Sequence, residues 1–333
     1  MKSSVFHTNL SRREALQSIA GITGAAALGM LPFSASASLT SFANSPSRSF
    51  YEEDAELGQD GVKIEKLTEN ISVLFGVGGN IAILAGKDDT LQIDAGNPGT
   101  TPAVLKAIKE ISDKPVTTLI DTHWHGDHTG GNADMARQGS RIYGHTNVRK
   151  RLSTDQFIEA FNSKVPASPE IALPVLTFND ELTLYHSGET LHLVHVLPAH
   201  TDSDIIIHFS KANVLHAGDL FFNGMYPFID SSTGGWIGGM IKGADVILAH
   251  TDEKTKIIPG HGPVGTRADF KTYRDMLVTV QDRIAPLVKS GKSADEVAAA
   301  KPLADLDDKW GKGFMKPEMF VKVVYGGLKK FGS

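Results

Sequence analysis

The sequence predicts an α/β protein, a four-layer αββα sandwich in which two β-sheets lie face to face and helices cover their outer faces. Three observations lead there. Short apolar runs alternate with a period of two between Gly, Pro, Asp and Ser boundaries. Longer runs place apolar residues at helical spacing. The chain also passes twice through a β-rich stretch followed by a helical one.

The first 37 residues are expected to lie outside that fold. Ser11-Arg12-Arg13-Glu14-Ala15-Leu16 resembles a twin-arginine export signal. It precedes an apolar Ala/Gly-rich run over 19–33 and the small-residue cleavage pattern Ala35-Ser36-Ala37. That run holds three glycines and is shorter than the roughly 20 apolar residues of a spanning helix. Cleavage is therefore expected, with no stable membrane insertion afterwards and a destination in the periplasm or outside the cell. Residues 38–61, rich in Ser, Asn, Gly and acidic side chains, read as a linker.

The folded domain is expected over 62–290, followed by a helical C-terminal extension over 291–333. Alternation over 71–77, the Gly78-Gly79-Asn80 turn and the apolar run 81–85 make a hairpin, and 91–96 is a third strand ending in Asp94-Ala95-Gly96. Thr101 and Pro102 open a helix as N-cap and first residue, with Val104, Leu105, Ile108 and Ile111 on one face. Residues 116–120 form a buried strand and 141–144 a short one. Residues 146–164 read as helix, and the Pro-punctuated stretch 166–174 as a loop able to cover a cleft. Strands follow over 181–185, 190–196, 204–209 and 213–216, then a helix over 234–249, a strand over 256–258 and a long helix over 267–289. Ser293 with Glu296 forms a capping box, and 317–331 is a last amphipathic helix.

With 333 residues, 41% of them hydrophobic, the chain can bury a sizeable core. It has no cysteine, which excludes a disulfide framework and leaves His, Asp and Glu as the available metal ligands. A formal net charge of -5 without basic runs opposes a nucleic-acid partner and favours a small-molecule substrate. The oligomeric state is left open.

The chemistry is concentrated at Thr122-His123-Trp124-His125-Gly126-Asp127-His128, which closes the 116–120 strand. Neutral imidazole offers a nitrogen lone pair near physiological pH, so such a cluster points to a metal. His200, Asp219 and His261 recur later in the same context, a strand end beside Gly or Pro. On these residues the chain resembles the metallo-β-lactamase superfamily, whose order is H-x-H-x-D-H, a later His, a later Asp and a final His. The resemblance covers residues 62–290.

The resemblance implies two divalent metal ions, Zn2+ first, with Fe or Mn as alternatives. His123, His125 and His200 would hold one ion, Asp127, His128 and His261 the other, and Asp219 would bridge them. It implies a hydrolase in which metal-activated hydroxide attacks the carbonyl of an ester, thioester, lactone or β-lactam, with Asp127 as the catalytic residue orienting the nucleophile. Asp94 would stand behind a ligand histidine and receive its N–H. Tyr226 and Asn223 are candidate oxyanion donors by their position after Asp219.

Two alternatives share the fold, a β-lactamase proper and an iron-dependent sulfur oxidoreductase. The best-known zinc β-lactamases lack an aspartate at the Asp219 position, and one group carries a lysine where this chain has Phe222. An aspartate there is more similar to the lactonase and glyoxalase type of site. His195 and His216 read as supporting or packing residues, His192 and His208 as strand residues bonded locally, and Asp202 and Asp204 as turn and capping residues. Trp124 is expected to pack beside the site, and the aromatic segment 221–228 to form one wall of the cleft.

Overall fold

Side chains alternate across each strand, so every strand can face two different layers. Ile81 and Ile83 face the helices outside the first sheet, whereas Ala82 and Leu84 between them face the second sheet. A computed structural model describes residues 61–332, so the expected signal segment 1–37 and all of the expected linker but its last residue lie outside the described residues.

The first sheet runs β1 (Lys63–Lys66), β2 (Ile71–Phe75), β3 (Ile81–Ala85), β4 (Thr90–Ile93), β5 (Val116–Ile120), β6 (Arg141–His145) and, after a two-stranded ribbon of β7 (Gln156–Ile158) and β8 (Ser163–Val165), β9 (Leu176–Phe178). β4, β5, β6 and β9 pair in parallel, the earlier strands antiparallel. The second sheet runs β10 (Glu181–His186), β11 (Glu189–His195), β12 (Ile205–Phe209), β13 (Val214–His216), β14 (Lys256–Ile258) and β15 (Gly265–Thr266), with only β13 and β14 parallel.

Helices α1 (Thr101–Ile111), α2 (Gly126–Thr129), α3 (Asn132–Arg137) and α4 (Thr146–Leu152) belong to the first half of the chain. α5 (Ile237–Ala249), α6 (Arg267–Lys289), α7 (Ala294–Ala299), α8 (Asp307–Trp310) and α9 (Pro317–Phe331) belong to the second. Three apolar layers separate the four structural ones. Ile71, Val73, Ile93 and Ile120 meet Leu191, Leu193, Ile207 and Val214 between the sheets. Val104 and Ile108 of α1 cover Leu74 and Leu119. Met240, Phe270, Leu277 and Val324 pack over Val196, Ile206 and Leu215. The αββα expectation is met, because each sheet has two apolar faces and needs a cover on each. Among the described residues no helix is long and apolar enough to cross a membrane.

Three local expectations are corrected. The helix expected over 146–164 stops at Leu152. Gln156 turns its amide onto the carbonyls of Arg151 and Thr154, and Asn162 adopts a left-handed φ of 49°, so polar side chains bond the local backbone and the chain becomes the β7–β8 ribbon. The loop 166–174 does not cover the cleft: Leu173 is buried, and the Ala172 carbonyl accepts from Asn132 Nδ2. Thr101 is the first helical residue rather than the cap, since Thr100 occupies the N-cap and spends its hydroxyl on the Asn97 carbonyl. The helices after residue 290 share one core with α5 and α6, through Phe320, Val321, Val324 and Leu328.

Candidate active site

β4, β5, β13 and β14 end at one rim of the sandwich, and their following turns carry Asp94, then His123 to His128, then Asp219, then His261. The turn between β11 and β12 adds His200. All seven sequence candidates meet here in two groups, His123, His125, His200 and Asp219, and Asp127, His128 and His261. Within each group the ligating atoms lie within 4.8 Å of one another.

In the first group His125 Nδ1 stands 3.2 Å from His123 Nε2 and 2.9 Å from His200 Nε2. Asp219 Oδ2 is 3.3 Å from His200 Nε2 and 3.8 Å from His123 Nε2. In the second group Asp127 Oδ2 lies 3.1 Å from His261 Nε2 and 3.4 Å from His128 Nε2. The other Asp219 oxygen, Oδ1, is 3.1 Å from His128 Nε2 and 3.5 Å from His261 Nε2. One carboxylate thus faces both groups, one oxygen each.

Hydrogen bonds behind the rings decide where their protons sit. His128 Nδ1–H donates to Asp94 Oδ2 at 2.7 Å, His125 Nε2–H to Asp230 Oδ2 at 3.2 Å and His200 Nδ1–H to the Phe228 carbonyl at 2.8 Å. Thr122 Oγ1 gives its own hydrogen to Asp94 Oδ2 at 2.8 Å, so it accepts from His123 Nδ1–H at 3.1 Å. In their neutral forms four rings therefore turn lone pairs inward. Lone pairs this close repel each other unless a cation lies between them, and neither His128 Nε2 nor Asp219 Oδ1 has a hydrogen-bond partner among the described residues. The donor set and its orphaned atoms fit divalent metal ions with nitrogen and oxygen ligands.

Burial, with neighbouring His128, holds His123 well below the usual imidazole range, and burial pulls His200 down to about 4. Burial alone would raise the Asp219 carboxyl, but His128, His261, His200 and His123 around it outweigh that and hold it well below the usual carboxylate range. Neutral imidazole and ionised carboxylate are the forms that bind metals. On the Asp127 side the carboxylates dominate. Against the downward push of burial, Asp219 and Asp127 hold His128 well above its ordinary value and His261 up to about 10, a demand for positive charge.

Asp94 does what its strand-end position implied, with a positive φ of 63° that aims its carboxylate back under the site. Tyr226 and Asn223, the expected oxyanion donors, direct hydrogen bonds away from the two groups. The Tyr226 hydroxyl donates to Asp307 Oδ1 at 2.9 Å, and the Asn223 amide donates to the Pro263 carbonyl at 2.8 Å. Asp204 caps the His200 turn, accepting from His200 N and Thr201 N. His216 is buried and accepts from Gly218 N.

Asp230, Asn80, Gly79 and Gly260 went unrecognised in the sequence. Asp230 sits in Asp230-Ser231-Ser232-Thr233, where Thr233 Oγ1 and Ser232 N also bond it; against burial, His125 and these partners hold its carboxyl down to about 2. Its only sequence signal is that of a turn. Asn80 Nδ2 donates to the carbonyls of Pro259 and Gly262, tying the first hairpin to the His261 turn. A Cβ on Gly79 would collide with the His128 ring, and one on Gly260 with Asp219 Oδ1.

In front of Asp127, Asp219 and His261 opens a cavity of about 730 Å3, solvent included. Its walls come from Trp124, Ile158 and Val165 of the ribbon, Phe222, Met225, Tyr226 and Phe228 of the aromatic segment, and Phe314 near the C-terminus. The expected aromatic wall is present, and the ribbon takes the place expected for the 166–174 loop.

Residues 74–309 match the family model described as the Metallo-beta-lactamase superfamily. The chain belongs to this superfamily. Within the metallo-β-lactamase superfamily it is 24% identical over 171 residues to the metallo-beta-lactamase type 2 of Bacteroides fragilis, covering 51% of this chain and 62% of that one. It is 25% identical over 217 residues to the beta-lactamase-like protein 2 homolog of Caenorhabditis elegans, covering 60% and 64%. The chain thus spans less than two thirds of the length of these relatives. A solved stereoselective inverting sec-alkylsulfatase from a Pseudomonas species superposes with a TM-score of 0.62 at 19% identity, over 81% of this chain and 50% of that one. That likeness is one of fold alone.

Proposed function

We propose that the chain is an exported, dinuclear metal-dependent hydrolase of a small molecule with an ester, thioester, lactone or β-lactam bond. The observation that carries this reading is Asp219, whose Oδ2 faces His200 Nε2 at 3.3 Å while its Oδ1 faces His128 Nε2 at 3.1 Å. In this reading His123, His125 and His200 hold one cation, Asp127, His128 and His261 the other, and Asp219 both. Zn2+ is the first choice of metal, with Fe or Mn as alternatives. Two bound divalent cations would supply Lewis acidity and lower the pKa of water toward neutrality.

The remaining work belongs to the chain. Asp127, 18% exposed at the side chain and open to the cavity, orients the attacking water. Asp94, Asp230 and Thr122 hold the rings in the required tautomers. The aromatic wall excludes bulk water and seats the substrate beside His261, on which Phe222 stacks at 5.1 Å. The Ser11-Arg12-Arg13 segment supports twin-arginine export to the periplasm or beyond, and fractionation of cells expressing the full chain tests it.

Metal-loaded protein assayed on nitrocefin, lactones, thioesters and aryl esters tests the class. Chelator-sensitive turnover of one class is expected. Turnover of nitrocefin above all others would select the β-lactamase alternative, and one iron with oxygen uptake on a persulfide would select the sulfur oxidoreductase.

A further inference from the structure

The cavity has two unlike ends. Its inner end is polar, formed by His125, Asp127, Asp219 and His261, whereas its walls are aromatic and aliphatic. Among the described residues no lysine or arginine lines it. The polar groups of the aromatic segment are already committed, the Tyr226 hydroxyl to Asp307 and the Asn223 amide to Pro263. A carboxylate or sulfate held against these walls by the far part of a substrate would exchange water for aromatic and aliphatic contacts and meet no lysine or arginine among the described residues. An alkyl or aryl group would gain the contact of Phe228 and Phe314, which Phe161 links at ring-centroid distances of 4.7 and 5.7 Å.

We infer that the substrate presents an uncharged, apolar acyl or aryl group to this wall, and that an anionic group remote from the reacting bond disfavours a compound. This rests on the hydrolase reading above and narrows it. Burial is worth about 0.8 kcal/mol per methylene, so each methylene added to the acyl chain raises kcat/KM roughly fourfold until the wall is covered. A terminal carboxylate lowers it on the order of a hundredfold.

The test compares p-nitrophenyl esters from acetate to octanoate with p-nitrophenyl monoesters of succinate and suberate, on the zinc-loaded full chain. Met225 is half-buried and unbranched, so Met225→Lys can place a cation at the wall. It is expected to narrow the ratio between the two series about tenfold. Calorimetric binding of octanamide and its ω-carboxylated counterpart to metal-free protein reads the wall without turnover, with the counterpart binding at least about tenfold more weakly. Equal kcat/KM for the two ester series, a preference for the carboxylated esters, or equal amide binding would overturn the inference. If no ester is turned over in a chelator-sensitive way, the ester part of the hydrolase reading fails, and the calorimetry still decides the preference of the wall.

Discussion

Asp94 Oδ2 lies 2.7 Å from His128 Nδ1, and both side chains are fully buried. The carboxylate fixes the hydrogen on Nδ1 and leaves Nε2 to face Asp127 and Asp219. In Asp94→Asn the amide keeps the backbone conformation, because Asn tolerates positive φ, but supplies a weaker acceptor. On the two-metal reading proposed above, affinity for the second ion is expected to fall about 10–100-fold. Competition with a chromophoric chelator measures this, and unchanged affinity would remove Asp94 from the metal's support.

Asp230 does for His125 what Asp94 does for His128, across 105 residues of chain. Asp230→Asn is expected to weaken the first metal by a similar 10–100-fold and leave the second in place. His128→Ala should mainly empty the second position, whereas Asp219→Ala should disturb both. Metal content of the purified variants by mass spectrometry distinguishes the three patterns; a His128→Ala variant that keeps both metals would break the two-metal assignment.

Gly260→Ala places a methyl group against Asp219 Oδ1 and 2.8 Å from the Gly218 carbonyl carbon. The turn cannot yield without moving His261, so about 1–3 kcal/mol of stability is expected to be lost. Misplaced ligands should also cost about 100-fold in turnover. Thermal unfolding and steady-state rates on one preparation check both, and a variant with wild-type values for each would show that the turn has slack.

His145 supplies the cap of α4, accepting from Asn147 N with Nδ1, and stacks on His195 at 3.7 Å and 2°. Burial, then the neighbouring His195, lowers His145 from 6.5 to about 4. Between these values the unfolded chain binds more protons than the folded one. The stability from neutral His145 is therefore complete above about pH 6.5 and drains as pH falls toward 4, by about 1–2 kcal/mol after solvent screening. Asn also caps helices well, so the stability gap between wild type and His145→Asn should shift against the wild type by that amount from pH 7 to pH 4.5. Urea unfolding at the two values measures it, and a pH-independent gap would contradict the buried neutral ring.

The sequence alone determined the layers and the seven converging side chains. Alternation in strands such as 81–85 reports which faces need cover, and the H-x-H-x-D-H run, His200, Asp219 and His261 each stand in a turn after an apolar strand. Those signals are local, which is why they are legible. Only the tertiary structure decided what surrounds them. Asp230 and Asn80 look like ordinary turn residues until folding sets one against His125 and the other against Pro259. Tyr226 and Asn223 have suitable donors, but packing turns both away from the site. The cleft wall fell to the β7–β8 ribbon and Phe314 rather than the Pro-rich loop. A hydrogen bond between residues a hundred positions apart leaves no periodicity in the chain, because its geometry exists only once the two sheets have packed.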